Sequence, residues 1–262
     1  MIQRENFNLS VLSPLAQTWK TMSSKYIVMD TEKLVNTLLG LTSSGEAVFT
    51  LREIRNNRSQ KKGVRGVHTV KLRMNRSYDF GNDIVYPELI IQNSHDGSSP
   101  LRVDFGLYRQ ICTNGLCVKM TDYGEIKIRH MGTPEEAAFD IVKEMAKHLP
   151  KIVRKHHEMA NTILTEEQAI EFAMKAAQAR WDREFTRADA KQLLSAARPE
   201  DEGQSLWCYF NIVQEKIING GLKFEGQKRQ AKAIVRGQED VRINAAIWQT
   251  AESYIDYEMV EN

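Results

Sequence analysis

Between Arg52 and Arg76 the chain carries Arg52, Arg55, Arg58, Lys61, Lys62, Arg65, Lys71, Arg73 and Arg76 against a single acid, Glu53. Cations at this density suit a polyanion, because each can take the place of a counterion condensed on a phosphate. A solvated charged surface is the alternative for a single run. A second series adds weight: Lys143, Lys147, Lys151 and Arg154 or Lys155 recur every three to four residues opposite an apolar stripe. On a helix they form a cationic ridge about three turns long. Together the two series favour nucleic acid. Phe49, Tyr78, Phe80 and Tyr86 lie near the basic segment and are candidates to stack on bases, although strand aromatics are commonly core.

Covalent chemistry finds less support. His95-Asp96 pairs a base with a carboxylate, and with Arg109 would make an enzyme reading, but no nucleophile or metal set accompanies them. The surrounding NSHDGSS is a run of turn formers, which predicts a tight loop between strands. Cys112 and Cys117 lack the partner pair of a zinc ribbon or redox couple, and Cys208 between Trp207 and Tyr209 reads as core. His156 and His157 are adjacent helical positions that share no face. Phosphate-cradling and nucleophile-elbow motifs are not found. The expectation is therefore a protein that is not an enzyme and uses no metal or cofactor.

These residues need elements to position them. The chain of 262 residues is 42% apolar and 27% charged, the composition of a folded globular chain rather than a fibrous or disordered one. It holds no apolar run of membrane-spanning length. Its polar N-terminus and three cysteines lead us to expect a cytoplasmic protein, with no membrane partner. The net charge of +2 conceals the basic block and an acidic end, Glu252, Asp256, Glu258 and Glu261.

Period and caps divide the chain in two. Pro14 opens a short helix and Asp30 caps another, with Leu34, Val35, Leu38 and Leu39 at helical spacing. Three strand-like runs follow, GEAVFTLREIR, GVHTVKLRM and DIVYPELIIQNS, the first two joined by the polar stretch 56–63 of a β-hairpin. Alternation puts His68, Val70, Leu72 and Met74 on one face and Thr69, Lys71, Arg73 and Asn75 on the other. Residues 100–112 read as a fourth strand turning into a helix start, and 119–132 as a short strand pair. From Thr133 the pattern is helical: capping boxes at Thr133 and Thr165 and a further helix start at Thr186, with Pro150 expected to kink or break the long helix. Two further helices follow, up to Gly220-Gly221 and then from Gln238 to Tyr257. Their apolar faces, Leu206, Phe210, Val213 and Ile217, then Ile243, Ile247 and Tyr254, predict self-association. The architecture is α+β: an antiparallel sheet with a basic hairpin and a long helix in residues 1–163, then an all-α region in residues 164–262.

Within this frame Asn93-Ser94-His95-Asp96-Gly97-Ser98, the spacing of Gly106 and Arg109, and Ile111-Cys112-Thr113-Asn114-Gly115-Leu116 resemble the domain of unknown function 932 family. Trp207, Asn211 and Glu215 are similar to the family's C-terminal segment; at helical spacing they share a face, so Asn211 and Glu215 should reach a common neighbour. The resemblance covers residues 25 to 250 and implies a gene of phages, prophages or plasmids. The layout also resembles the single-strand annealing proteins of phage recombination, which assemble as rings or filaments. The expectation is thus a nucleic-acid-binding homo-oligomer that prefers single-stranded DNA and anneals it during recombination. The alternative is an inhibitor of a host defence complex, with a host defence protein as partner.

Overall fold

The first helix, α1 (Thr31–Leu39), starts where its cap residue predicts: Asp30 accepts a hydrogen bond from the Lys33 amide at 3.1 Å. Leu34, Val35 and Leu38 turn inward and are fully buried. The computed structural model describes residues 9–13, 29–58, 65–79, 84–95, 99–109, 115–118 and 133–258. The expected helix at Pro14, the hairpin tip with Lys61 and Lys62, and the strand pair at 119–132 lie outside these residues.

The described residues fall into two compact units, within Met1–Ser77, Tyr86–Gly106 and Met120–Lys147, and within Tyr78–Val85, Leu107–Lys119 and His148–Asn262. In the first, β1 (Thr42–Ser43) and β2 (Glu46–Ala47) form a small ribbon leading into β3 (Phe49–Arg58). The hairpin of β3 with β4 (Arg65–Met74) is antiparallel, as the alternation requires. Next along the chain come β5 (Tyr78–Asp79), in the second unit, β6 (Ile84–Asn93) and β7 (Arg102–Arg109), each divided between the two, and β8 (Gly115–Val118), in the second. The six-stranded sheet has the order β3-β4-β6-β7-β8, with β5 pairing off β6. A strand at β8 was not expected, because the turn-like CTNG hid its start.

Two registers position the charges. Glu53 lies opposite Lys71, and Arg73 opposite Glu88. A bulge between Leu51 and Glu53 leaves Arg52 as the extra residue on β3. Val70, Leu72, Leu89 and Ile91 fill one face of the sheet, but Thr69, Lys71, Glu88 and Gln92 on the other are also buried.

The long helix α2 (Pro134–Asn161) opens with the expected capping box, Glu136 N–H donating to Thr133 Oγ1 at 3.2 Å and Thr133 N–H to Glu136 Oε2 at 2.8 Å. It runs through Pro150 unbroken. Pro150 is exposed, and buried Met145, Leu149 and Ile152 carry the apolar stripe past it, so packing offsets the lost hydrogen bond. In the second unit, capping boxes start α3 (Glu166–Ala177) at Thr165 and α4 (Arg187–Leu193) at Thr186. Ser205 caps α5 (Leu206–Asn219), and α6 (Gly237–Glu258) ends the described chain. The α5 and α6 faces expected to seek another copy pack on each other instead. Phe210 meets Trp248 edge-on at 5.8 Å, and Val213, Ile217, Ile243 and Ile247 are fully buried within the chain.

Candidate nucleic-acid interface

The hairpin delivers its basic residues to one sheet face together with acids that engage them. Arg52 binds the wholly buried Glu88 through two hydrogen bonds, the Nη2–Oε2 one at 3.1 Å. Arg55 pairs with Glu53, and Lys71 Nζ stands 3.4 Å from the second Glu53 oxygen. Burial pushes the Glu53 carboxyl up; Lys71, Arg55 and Arg52 outweigh that and hold it below the usual carboxylate range. Arg73 lies over the Tyr86 ring at 4.5 Å. Lys71 is only 2% exposed, so it is a structural cation here, not the surface phosphate contact expected of it. Arg58 and Arg65 pair across the hairpin backbone.

The helix behaves differently. Lys143 and Lys147 are exposed, and Phe139, one turn before Lys143, is 70% exposed. Residues 139, 143 and 147 form a single row along α2 in the first unit, since each step of four turns only about 40°. Lys147 shares its charge with Glu144 at 3.6 Å, in a wet geometry that holds it weakly. Lys151 and Arg154, exposed as well, continue the helix in the second unit. Of the aromatics expected to stack, Phe49 is buried, Tyr78 and Tyr86 are half-buried, and Phe80 lies outside the described residues. Phe139 was missed, although its place off the stripe of Ala138, Ile141, Val142 and Met145 was a usable signal.

The motif residues occupy interiors. His95 lies just past β6 in the β6–β7 connection, where the turn formers place a loop, and is wholly buried in a cluster with α1, β4 and the end of β6. Thr31 Oγ1 is 2.8 Å from His68 Nε2 and 3.2 Å from His95 Nε2, and accepts from Asn93 Nδ2 at 2.8 Å. His68 Nδ1 faces the Gly66 carbonyl at 3.2 Å, so it carries the proton and leaves Nε2 to accept from the Thr31 hydroxyl. His95 Nε2 faces the Met29 carbonyl at 3.2 Å and therefore donates. The hydrogen bonds run in one direction, from His95 and Asn93 through Thr31 to His68. All four residues are buried, which makes this a lock between α1 and the sheet.

In the second unit Arg109 pairs with buried Asp201, and Arg198 bridges Asp201, at 3.5 Å, to Glu215. Asn211 instead donates to the Trp207 carbonyl of its own helix at 2.7 Å, so it and Glu215 have different neighbours. Trp207 stacks with Phe210 and meets His156 edge-on at 4.1 Å. His95 and Arg109, which the enzyme reading joined, belong to different units, and Asp96 lies outside the described residues. Cys208 is half-buried, its sulfur taking a hydrogen bond from Ser205 Oγ at 3.2 Å.

Asn93 and His95 of the first cluster and Arg109, Trp207 and Glu215 of the second are among the residues that carried the sequence resemblance, and a domain of unknown function (DUF932) matches residues 19–248. The chain belongs to the DUF932 family. It is similar to two Escherichia coli (strain K12) proteins of this kind, "UPF0380 protein YafZ" and "UPF0380 protein YfjQ". Each is 31% identical over 172 residues, 64% of this chain and 63% of the relative, so the match spans less than two thirds of either relative. No solved structure matches the chain. In this DUF932 protein no described helix is long and apolar enough to cross a membrane.

Proposed function

We propose that this protein binds nucleic acid, single strands in preference to duplex, and acts by holding a strand for annealing during recombination rather than by cutting or hydrolysing it. The observation that carries this is the row of Phe139, Lys143 and Lys147 on α2. An exposed aromatic beside exposed cations is the pairing that single-strand binders use, since every base offers a face to stack and every phosphate a charge to neutralise. The hairpin supplies a second, weaker argument. Its cations are tied to Glu53 and Glu88, so they build a charged sheet face more than a free phosphate track.

Fluorescence anisotropy with labelled single- and double-stranded oligonucleotides across a salt series tests the reading. Changing Lys143 and Lys147 to Gln should lower the magnitude of the log–log salt slope by about 1.4 on a single strand. Phe139→Ala should weaken single-strand binding by about 1–3 kcal/mol and leave the salt slope alone, because stacking releases no counterions. Equal affinity of all three proteins for single strands would refute the proposal.

A further inference from the structure

Among the described residues the strongest concentration of unpaired cations lies in the irregular segment between α5 and α6. Lys223, Lys228, Arg229, Lys232 and Arg236 are all exposed, with Glu225 the one acid among them. None of the five has an ion-pair partner among the described residues, whereas Arg52, Arg55 and Lys71 of the hairpin all do. No charge run marks the segment in the sequence, because its cations are spread through glycine, glutamine and apolar residues.

Its backbone is held at many points. Gly221 N–H donates to the Ala231 carbonyl and Ala231 N–H to that of Leu222, each at 2.8 Å, which closes the segment on itself. Ile234 N–H donates to the Ile218 carbonyl at 2.9 Å, and Arg180 donates to the carbonyls of Ile217 and Lys232. At the far end Asp189 accepts from the Glu225 amide at 2.9 Å, and Phe224 is clasped edge-on by Trp181 and Phe185 at 4.9 and 5.2 Å. Leu222, Phe224 and Ile234 are thereby buried, and the cations between them are turned out to solvent. Holding like charges together on an ordered backbone costs stability through repulsion, and a polyanion relieves that cost on binding.

We infer that the segment from Leu222 to Arg236 is a second nucleic-acid contact, recognising the phosphate backbone without regard to base sequence. The inference rests on the nucleic-acid reading above and adds a site in the other unit. Phosphate is favoured over an acidic protein surface because the patch is almost purely cationic. Val235 is its one exposed large apolar side chain, and protein interfaces centre on buried apolar and aromatic anchors.

The test is a triple variant of the full chain, Lys228→Gln, Arg229→Gln and Lys232→Gln, beside the Lys143→Gln and Lys147→Gln variant. Each is titrated with a labelled single strand and a labelled duplex across a potassium chloride series. The triple variant should lose tenfold or more in affinity at about 0.1 M salt. The magnitude of its salt slope should fall by about 2 on the single strand and about 2.7 on duplex, the sum for three phosphate contacts. An unchanged slope in the triple variant, with a lowered one in the α2 variant, overturns this site and leaves the α2 reading standing. The converse result overturns the α2 site and supports this one. Failure of the wild-type chain to bind either oligonucleotide overturns both. A polyglutamate of matched charge serves as competitor: failure to displace the oligonucleotide supports phosphate recognition, and equal displacement overturns it in favour of an acidic protein partner. Circular dichroism of the triple variant should match wild type, because the three side chains are exposed and the backbone hydrogen bonds are untouched.

Discussion

Lowering the pH from about 7.5 to about 5 should destabilise the protein, and His156 contributes a part that can be isolated. Its side chain is wholly buried on α2, with its ring 4.1 Å from that of Trp207. Burial withholds water from the imidazolium, and the neighbouring charges of His157 and Arg109 add to the penalty, so the group is pushed down from 6.5 to about 3. The unfolded chain therefore binds a proton near pH 6.5 that the folded chain refuses until about pH 3. Stability from this group is complete above pH 6.5 and drains away as pH falls toward the folded value. The slope between these limits is about 1.4 kcal/mol per pH unit, which gives a loss of about 2 kcal/mol by about pH 5. Urea unfolding followed by circular dichroism at several pH values measures the loss, with His156→Phe as the comparison. Phenylalanine fills the site beside Trp207 and has no proton to refuse, so its stability should be flatter by about 2 kcal/mol over the same range. Parallel losses in the two proteins would refute the reasoning, since they would place the titrating group elsewhere.

Thr31→Val keeps the side-chain shape and removes the hydroxyl that joins His68, Asn93 and His95. It should cost about 1–3 kcal/mol in urea unfolding, and a change below about 0.5 kcal/mol would show that the cluster is not a working lock. Asp201→Asn should cost about 3–5 kcal/mol because it removes the buried charge that Arg109 and Arg198 share, whereas Lys175→Gln, which breaks an exposed pair with Glu171, should leave the melting temperature unchanged. Gly220 sits at a φ of +71°, and a Cβ there would stand 2.5 Å from the Ala231 carbonyl oxygen. Gly220→Ala should therefore destabilise the protein by more than about 1 kcal/mol and weaken oligonucleotide binding at the same time; a neutral result by thermal melting would show that the segment after α5 is not held as described.

Local signals were legible in the sequence because their partners lie within four residues. Asp30, Thr133, Thr165 and Thr186 each cap a helix through an amide three positions on, and all four stand where the residue types place a helix start. The alternation of β3, β4 and β6 was readable for the same reason, as were the α+β class and the family carried by short motifs. What tertiary structure decided is which charges remain available. Arg52 finds Glu88 36 residues away, and His95 finds Thr31 at a separation of 64. Neither pairing follows from spacing along the chain, because strand register and the docking of α1 set it. Lys71 counted as a surface cation until its register with Glu53 buried it, and the α5 and α6 faces counted as unpartnered until they met each other. Conversely, Phe139 and the five cations from Lys223 to Arg236 stay at the surface because the packed residues around them leave them no acid and no core to enter. A charged or aromatic side chain is free only after every long-range partner has been placed, and that placement is a property of the fold.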